Sequence, residues 1–197
     1  LECGSLLPLF IRYSYLPETA ASCRTPRSDD LGAEALAKKL RSPIPLVSSL
    51  MEDYFKRGVF RSFSKQPIRN GIAGFRMAWH RDRIFDLFVD IQKRVIVIPE
   101  VLPALPRDLY QDFKTFVESH HEASLPDHRR TEKSKARLRS AYRRGSVGLT
   151  ILVKDGDYGY ALQRMIHLVQ ETYLLFLLDG KYKDYTVEQL GAEADIG

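Results

Sequence analysis

The chain has 197 residues, 44% of them hydrophobic and 11% aromatic. That is enough to bury one substantial core and too much Phe and Tyr for a disordered polymer. No run approaches the roughly 18 consecutive apolar residues that span a bilayer, and the two cysteines, Cys3 and Cys23, are too few and too near the terminus to frame a core or a metal site. Their absence from the expected core fits a reducing, cytoplasmic setting with no membrane association.

Residues 1–30 are expected to form a poorly ordered tail or extension, followed by a single α+β domain over residues 31–197. Leu6 to Ile11 (LLPLFI) is apolar but lacks the basic flank and the length of a signal segment. Cys23 to Gly32 is polar and rich in turn formers, as a linker would be. A first helix is expected from an Asp30 N-cap through Ala33, Leu36, Ala37 and Leu40, ended by Pro43. A second begins near Pro45, a residue suited to a first helical turn, with Leu46, Leu50, Tyr54 and Phe55 as its apolar stripe and Gly58 as its stop.

The period then changes from helix to strand. Phe75, Met77 and Trp79 alternate with smaller or polar residues, as do Phe85, Leu87, Val89 and Ile91. A two-residue turn at Arg81-Asp82 would set Met77 opposite Asp86, mixing core with solvent. A three-residue loop, Arg81-Asp82-Arg83, instead pairs Trp79 with Phe85 and Met77 with Leu87. Lys93-Arg94 turns the chain into Val95 to Ile98, an apolar run suited to a central strand, which Pro99 should limit. After Pro103 and Pro106 a third helix places Leu109, Phe113, Phe116, Val117 and His120 on one face.

The positive charge is concentrated beyond that helix. Arg129 to Arg144 (RRTEKSKARLRSAYRR) holds eight Lys/Arg and one acid, Glu132, a local charge of +7. The whole chain is +5, so the remainder sums to −2. Propensity favours a helix here. The pattern favours a strand: Lys133, Lys135, Arg137 and Arg139 alternate strictly with Ser134, Ala136, Leu138 and Ser140. A helix would scatter those cations around its circumference, whereas a strand puts them on one face. Arg143-Arg144-Gly145-Ser146 then supplies a turn, and Val147, Leu149, Ile151 and Val153 a returning strand. A last helix is expected from an Asp157 N-cap to Leu178, with Leu162, Met165, Ile166, Val169, Tyr173 and Phe176 inward. Its apolar end (YLLFLL) demands burial or a partner. A short helix is expected from Thr186 to Leu190.

The element order ααβββαββα implies an α+β fold, an antiparallel sheet of about five strands with the long C-terminal helix packed on one face. The candidate binding residues are Lys133, Lys135, Arg137, Arg139, Arg143 and Arg144. The first four would span about 20 Å in a strand. Asp86 and Asp90 are candidate neutralising partners, and edge protection is the alternative use for such cations. The favoured reading is a non-enzymatic interaction domain whose basic hairpin contacts an acidic protein partner or a second copy. Non-specific nucleic-acid binding through the same segment is the alternative, driven by counterion release. A second alternative is a hydrolase or metal enzyme around His120, His121, Glu122, Asp127 and His128. Adjacent helical histidines point about 100° apart, however, and no HExxH spacing is present. His167 and His80 read as packing histidines. Lys154 to Asp157 (KDGD) lacks the ligands of a calcium loop, and Gly71 to Gly74 (GIAG) lacks the Lys-Ser/Thr of a phosphate loop. No catalytic residue, metal ligand or cofactor is assigned.

Overall fold

A computed structural model describes residues 42–179 and 182–191. The cysteines, the tail expected over residues 1–30 and the helix expected from Asp30 to Leu40 lie outside them.

Helix α1 (Ile44–Lys56) starts with Pro45 in its first turn and stops at Gly58, whose φ of +75° only glycine adopts without strain. Four strands follow, β1 (Ser62–Arg69), β2 (Ile72–Trp79), β3 (Arg83–Asp90) and β4 (Val95–Leu102), then α2 (Arg107–Ser119). The hairpin β5 (Ala136–Arg143) and β6 (Ser146–Val153) precedes α3 (Tyr158–Leu174), a turn of 3-10 helix at Phe176–Leu178 and α4 (Lys183–Leu190). The six strands form one antiparallel sheet in the order β1-β2-β3-β4-β6-β5.

One face of the sheet carries the core. Phe75 lies opposite Leu87, and one row runs Val89, Ile96, Ile151 and Leu138 across four strands. All are buried, together with Val47 and Met51 of α1, Phe113 and Val117 of α2, and Leu162, Met165, Ile166 and Val169 of α3. The expected C-terminal helix therefore does pack on the sheet, and Asp157 does cap it, accepting the Tyr160 N–H at 2.8 Å.

Several expectations need correction. The first half of the sheet has four strands rather than three, because β1 was hidden. It is an edge strand with no alternating apolar pattern, and Pro67 sits in a register break between Gln66 and Arg69. The β2–β3 loop has three residues but begins earlier. His80, Arg81 and Asp82, all with positive φ, connect a Trp79–Arg83 pair. Met77 thus faces Phe85 and Phe75 faces Leu87, a shift of two that keeps every side chain on its expected face. His80 lies outside the ladder, and its ring stacks between Trp79 and Tyr173, each at 4.3 Å. The α1 stripe is rotated: Val47 and Met51 are buried while Leu46 is 50% and Phe55 40% exposed. Pro99 does not end β4 but marks a break in its pairing with β6. Helix α3 ends at Leu174 rather than Leu178, and in the apolar stretch around its end Phe176 and Leu177 are buried, whereas Leu174, Leu175 and Leu178 stay exposed.

The connection from α2 to β5 is long, and α3 holds it. Tyr160, Arg164, His167 and Glu171 recur at helical spacing along the face of α3 turned toward that connection. The Tyr160 hydroxyl accepts the Glu132 N–H at 2.9 Å, and Arg164 donates to the carbonyls of Asp127 and His128. Glu171 accepts two bonds from the Arg129 guanidinium at 2.8 and 2.9 Å and one from His120 Nε2 at 2.8 Å. His120 Nδ1 lies 2.8 Å from the Phe116 carbonyl. Both ring nitrogens therefore face oxygen acceptors, the Phe116 carbonyl and the Glu171 carboxylate.

Burial raises the Glu171 carboxyl, but the bonds from His120 and Arg129 outweigh it and bring it down to about 2. Glu171→Gln should lower unfolding stability by about 2–4 kcal/mol in urea titrations, since the buried His120 ring and the half-buried Arg129 guanidinium would lose the carboxylate they share. Acid should act in two stages. Burial lowers His80 to about 4 and also lowers His121 and His167. Below pH 6.5 the unfolded chain then binds protons that the native state refuses, so stability falls as pH drops. His80 alone contributes up to about 3 kcal/mol of that loss by pH 4. Protonation of Glu171 adds a further loss between pH 4.5 and 2. Urea midpoints at pH 7, 5.5 and 4.5 check the first stage. A midpoint unchanged across them contradicts it.

Candidate interaction face on the open side of the sheet

The basic segment is a strand and a hairpin, as its alternation requires. Arg143 pairs with Ser146 across a two-residue turn, Arg144-Gly145, with φ of +51° and +84°. Ala136 and Leu138 point into the core, while Arg137, Arg139 and Arg143 project from the opposite face and are exposed. β5 is also an edge of the sheet.

Its cations divide into two groups. Arg129 is held by Glu171, Arg130 by Asp127 at 2.6 Å, and Lys135 by Glu132 at 2.9 Å, with the Lys135 ammonium 5.1 Å over the Tyr160 ring. Lys135 lies in the turn before β5 and leaves the expected binding set. Lys133 is in the same turn and exposed, with its carbonyl accepting from Lys154. Among the described residues no carboxylate lies within ion-pair distance of Lys133, Arg137, Arg139, Arg143 or Arg144.

Asp86 and Asp90 do not neutralise the hairpin. They share its outward face, but β4 and β6 stand between β3 and β5, about 14 Å in all. Asp86 takes both bonds of Arg76 at 2.8 and 3.0 Å, which hold its carboxyl below the usual range, and one from Gln66 at 3.2 Å. Asp90 accepts the Lys93 N–H at 2.9 Å, the main cause of its own lowered value.

The histidine cluster is dispersed by the fold. The His120 ring goes to Glu171. The His121 ring turns the other way, with Nδ1 donating to the Thr131 carbonyl at 2.8 Å and Nε2 accepting the Leu138 N–H at 3.1 Å. Burial lowers its pKa first of all, with Lys133 and Arg137 adding to the effect, so the ring is neutral and seals the outer edge of β5. Among the described residues no group of three His, Cys, Asp or Glu is placed to hold a metal ion, and none of their helices is long and apolar enough to cross a membrane.

Beside the arginines the outward face is apolar, a feature that the charge pattern alone did not reveal. Rows across the sheet run Phe88, Val97, Thr150, Arg139 and Asp90, Val95, Leu152, Arg137. Phe88, Val95, Val97 and Leu152 are half-buried, with no described helix on this side. They lie in or beside an open groove of about 970 Å³ that runs from Ala141, Arg143 and Gly148 near the hairpin tip to Arg69 and Asn70 at the far edge. The sequence did hold a signal, the run Val95 to Ile98, apolar on both faces. Comparison with protein-family models, with curated proteins and with solved structures finds no match.

The groove floor depends on Gly148. A Cβ there would lie 2.5 Å from the Pro99 carbonyl oxygen and 3.1 Å from that of Ile98, both main-chain atoms. Gly148→Ala should therefore destabilise the fold by about 1–3 kcal/mol in thermal or urea melts. Thr150→Ala, one row along on the same face, should change stability by less than about 1 kcal/mol.

Proposed function

We propose that this chain is a non-enzymatic interaction domain that docks an acidic polypeptide segment on its open sheet face, along the basic β5 edge. One observation carries the reading. Arg137, Arg139, Arg143 and Arg144, with no carboxylate partner among the described residues, border an apolar strip that no described element covers. Edge protection accounts for cations on β5 but not for the strip beside them. Exposed apolar area next to unpaired charge is characteristic of binding surfaces for amphipathic partners.

A polypeptide suits this face better than a nucleic acid. Phe88 is the only aromatic among the described residues lining the groove, which leaves no platform for successive bases. An acidic segment instead places carboxylates against the arginine edge and its apolar side chains over Val95 and Val97.

The test is fluorescence anisotropy with two labelled probes, a Glu-rich peptide containing Leu and Phe and a single-stranded oligonucleotide of equal charge, at 50 and 300 mM salt. The peptide should bind more tightly at both. The double variant Arg137→Glu/Arg139→Glu should weaken it at least tenfold with the melting curve unchanged. Tighter binding of the oligonucleotide, with steep salt dependence, would replace this reading by polyanion binding. Light scattering separates both from self-assembly.

A further inference from the structure

We infer that the docked segment is extended and reads acid–x–apolar–x–acid, with its central bulky side chain seated in a notch over Ala141, Gly148 and Pro99, between Arg139 and Arg143. The inference rests on the interaction-domain reading and specifies what that face accepts.

Arg139, Ala141 and Arg143 occupy successive outward positions on β5. Ala141 pairs with Gly148, whose backbone lies against Pro99. That row offers one methyl group, a bare backbone and a proline ring, all three lining the groove. The neighbouring rows carry Arg139 with Thr150, and Arg143 with Ser146. The edge is therefore a cationic wall with one low point, and the low point opens onto the apolar strip. Gly148 cannot fill it, because Pro99 leaves no room for a Cβ. Glu100, the nearby acid, receives the Ser146 hydroxyl at 2.7 Å and lies in no ion pair with either arginine.

The spacing selects the backbone of the occupant. Alternate residues of a strand recur about every 6.6 Å, so Arg139 and Arg143 stand about 13 Å apart. An extended segment has the same repeat. Acids at i and i+4 then meet the two arginines while i+2 points into the notch. In a helix, residues i and i+4 are only about 6 Å apart along the axis, so acids on one turn cannot reach both cations. Arg137, one step further along, favours a third acid at the corresponding position.

The probes are two labelled nonapeptides, TVETFTEVT and TVETGTEVT, titrated against the full chain. The Phe peptide should bind at least tenfold more tightly than the Gly peptide. Ala141→Trp fills the notch from a solvent-facing position and should erase that difference without changing the melting curve, whereas Ala141→Gly should preserve it. Equal binding of both peptides would overturn the notch while leaving charge-based docking intact. Failure of either peptide to bind at low salt would remove the interaction-domain reading and this inference with it. Two further results would overturn the assignment: tighter binding of a helical peptide with acids seven residues apart, on one face and about 10.5 Å from each other, or a concentration-dependent rise in mass without peptide that Ala141→Trp abolishes. The second would make the occupant another copy of this chain.

Discussion

The Glu171 carboxylate is the point on which the placement of the basic strand depends. It stands on α3, the helix that covers the sheet, and binds the last residue of the α2 region, His120, together with Arg129 in the connection that leads to β5. A connection this long has many arrangements of its own, and ordering it carries an entropic cost. Three charge-assisted bonds that converge on one carboxylate hold the connection in a single arrangement. Tyr160 and Arg164 extend the same attachment along the helix. Packing on one side of the sheet thereby positions the charge displayed on the other.

The two faces of the sheet have different physical roles although they are built from the same strands. Inward residues bury a continuous core under three helices, and on the outward face Phe88 of β3, Val95 and Val97 of β4 and Leu152 of β6 are apolar as well. Such strands normally lie in sheets covered on both sides. Here the outward apolar strip ends at a row of arginines, and Asp86 and Asp90 on that face are already engaged by Arg76 and Lys93. The resulting surface places half-buried apolar side chains beside arginines that have no carboxylate partner among the described residues.

Much of the fold was legible from local pattern. Alternation identified β2, β3, β5 and β6 and the hairpin at Arg144-Gly145, although only Arg137 and Arg139 of the four alternating cations lie in the strand, because Lys133 and Lys135 form the turn before it. What failed was information that is not local. β1 lacks alternation because it is an exposed edge, yet Asn70-Gly71, both with positive φ, is a hairpin signal that marked its end. The β2–β3 register moved by two, and His80, now in the loop, stacks on Tyr173 far along the chain, a contact that local pattern does not show. The α1 stripe rotated because α3 and the sheet, not periodicity, choose which of its apolar residues are enclosed.

The order of residues by itself determined that the basic segment is a pleated ribbon, since only a two-residue period gathers Arg137 and Arg139 on one side while sending Ala136 and Leu138 to the other. It also determined that the last helix is amphipathic and capped by Asp157. Only the tertiary structure decided which charges remain available, because pairing depends on strand order. With β4 and β6 between them, Asp86 and Asp90 are too distant to quench the arginines, while Glu171, anonymous in the sequence, captures Arg129 and His120.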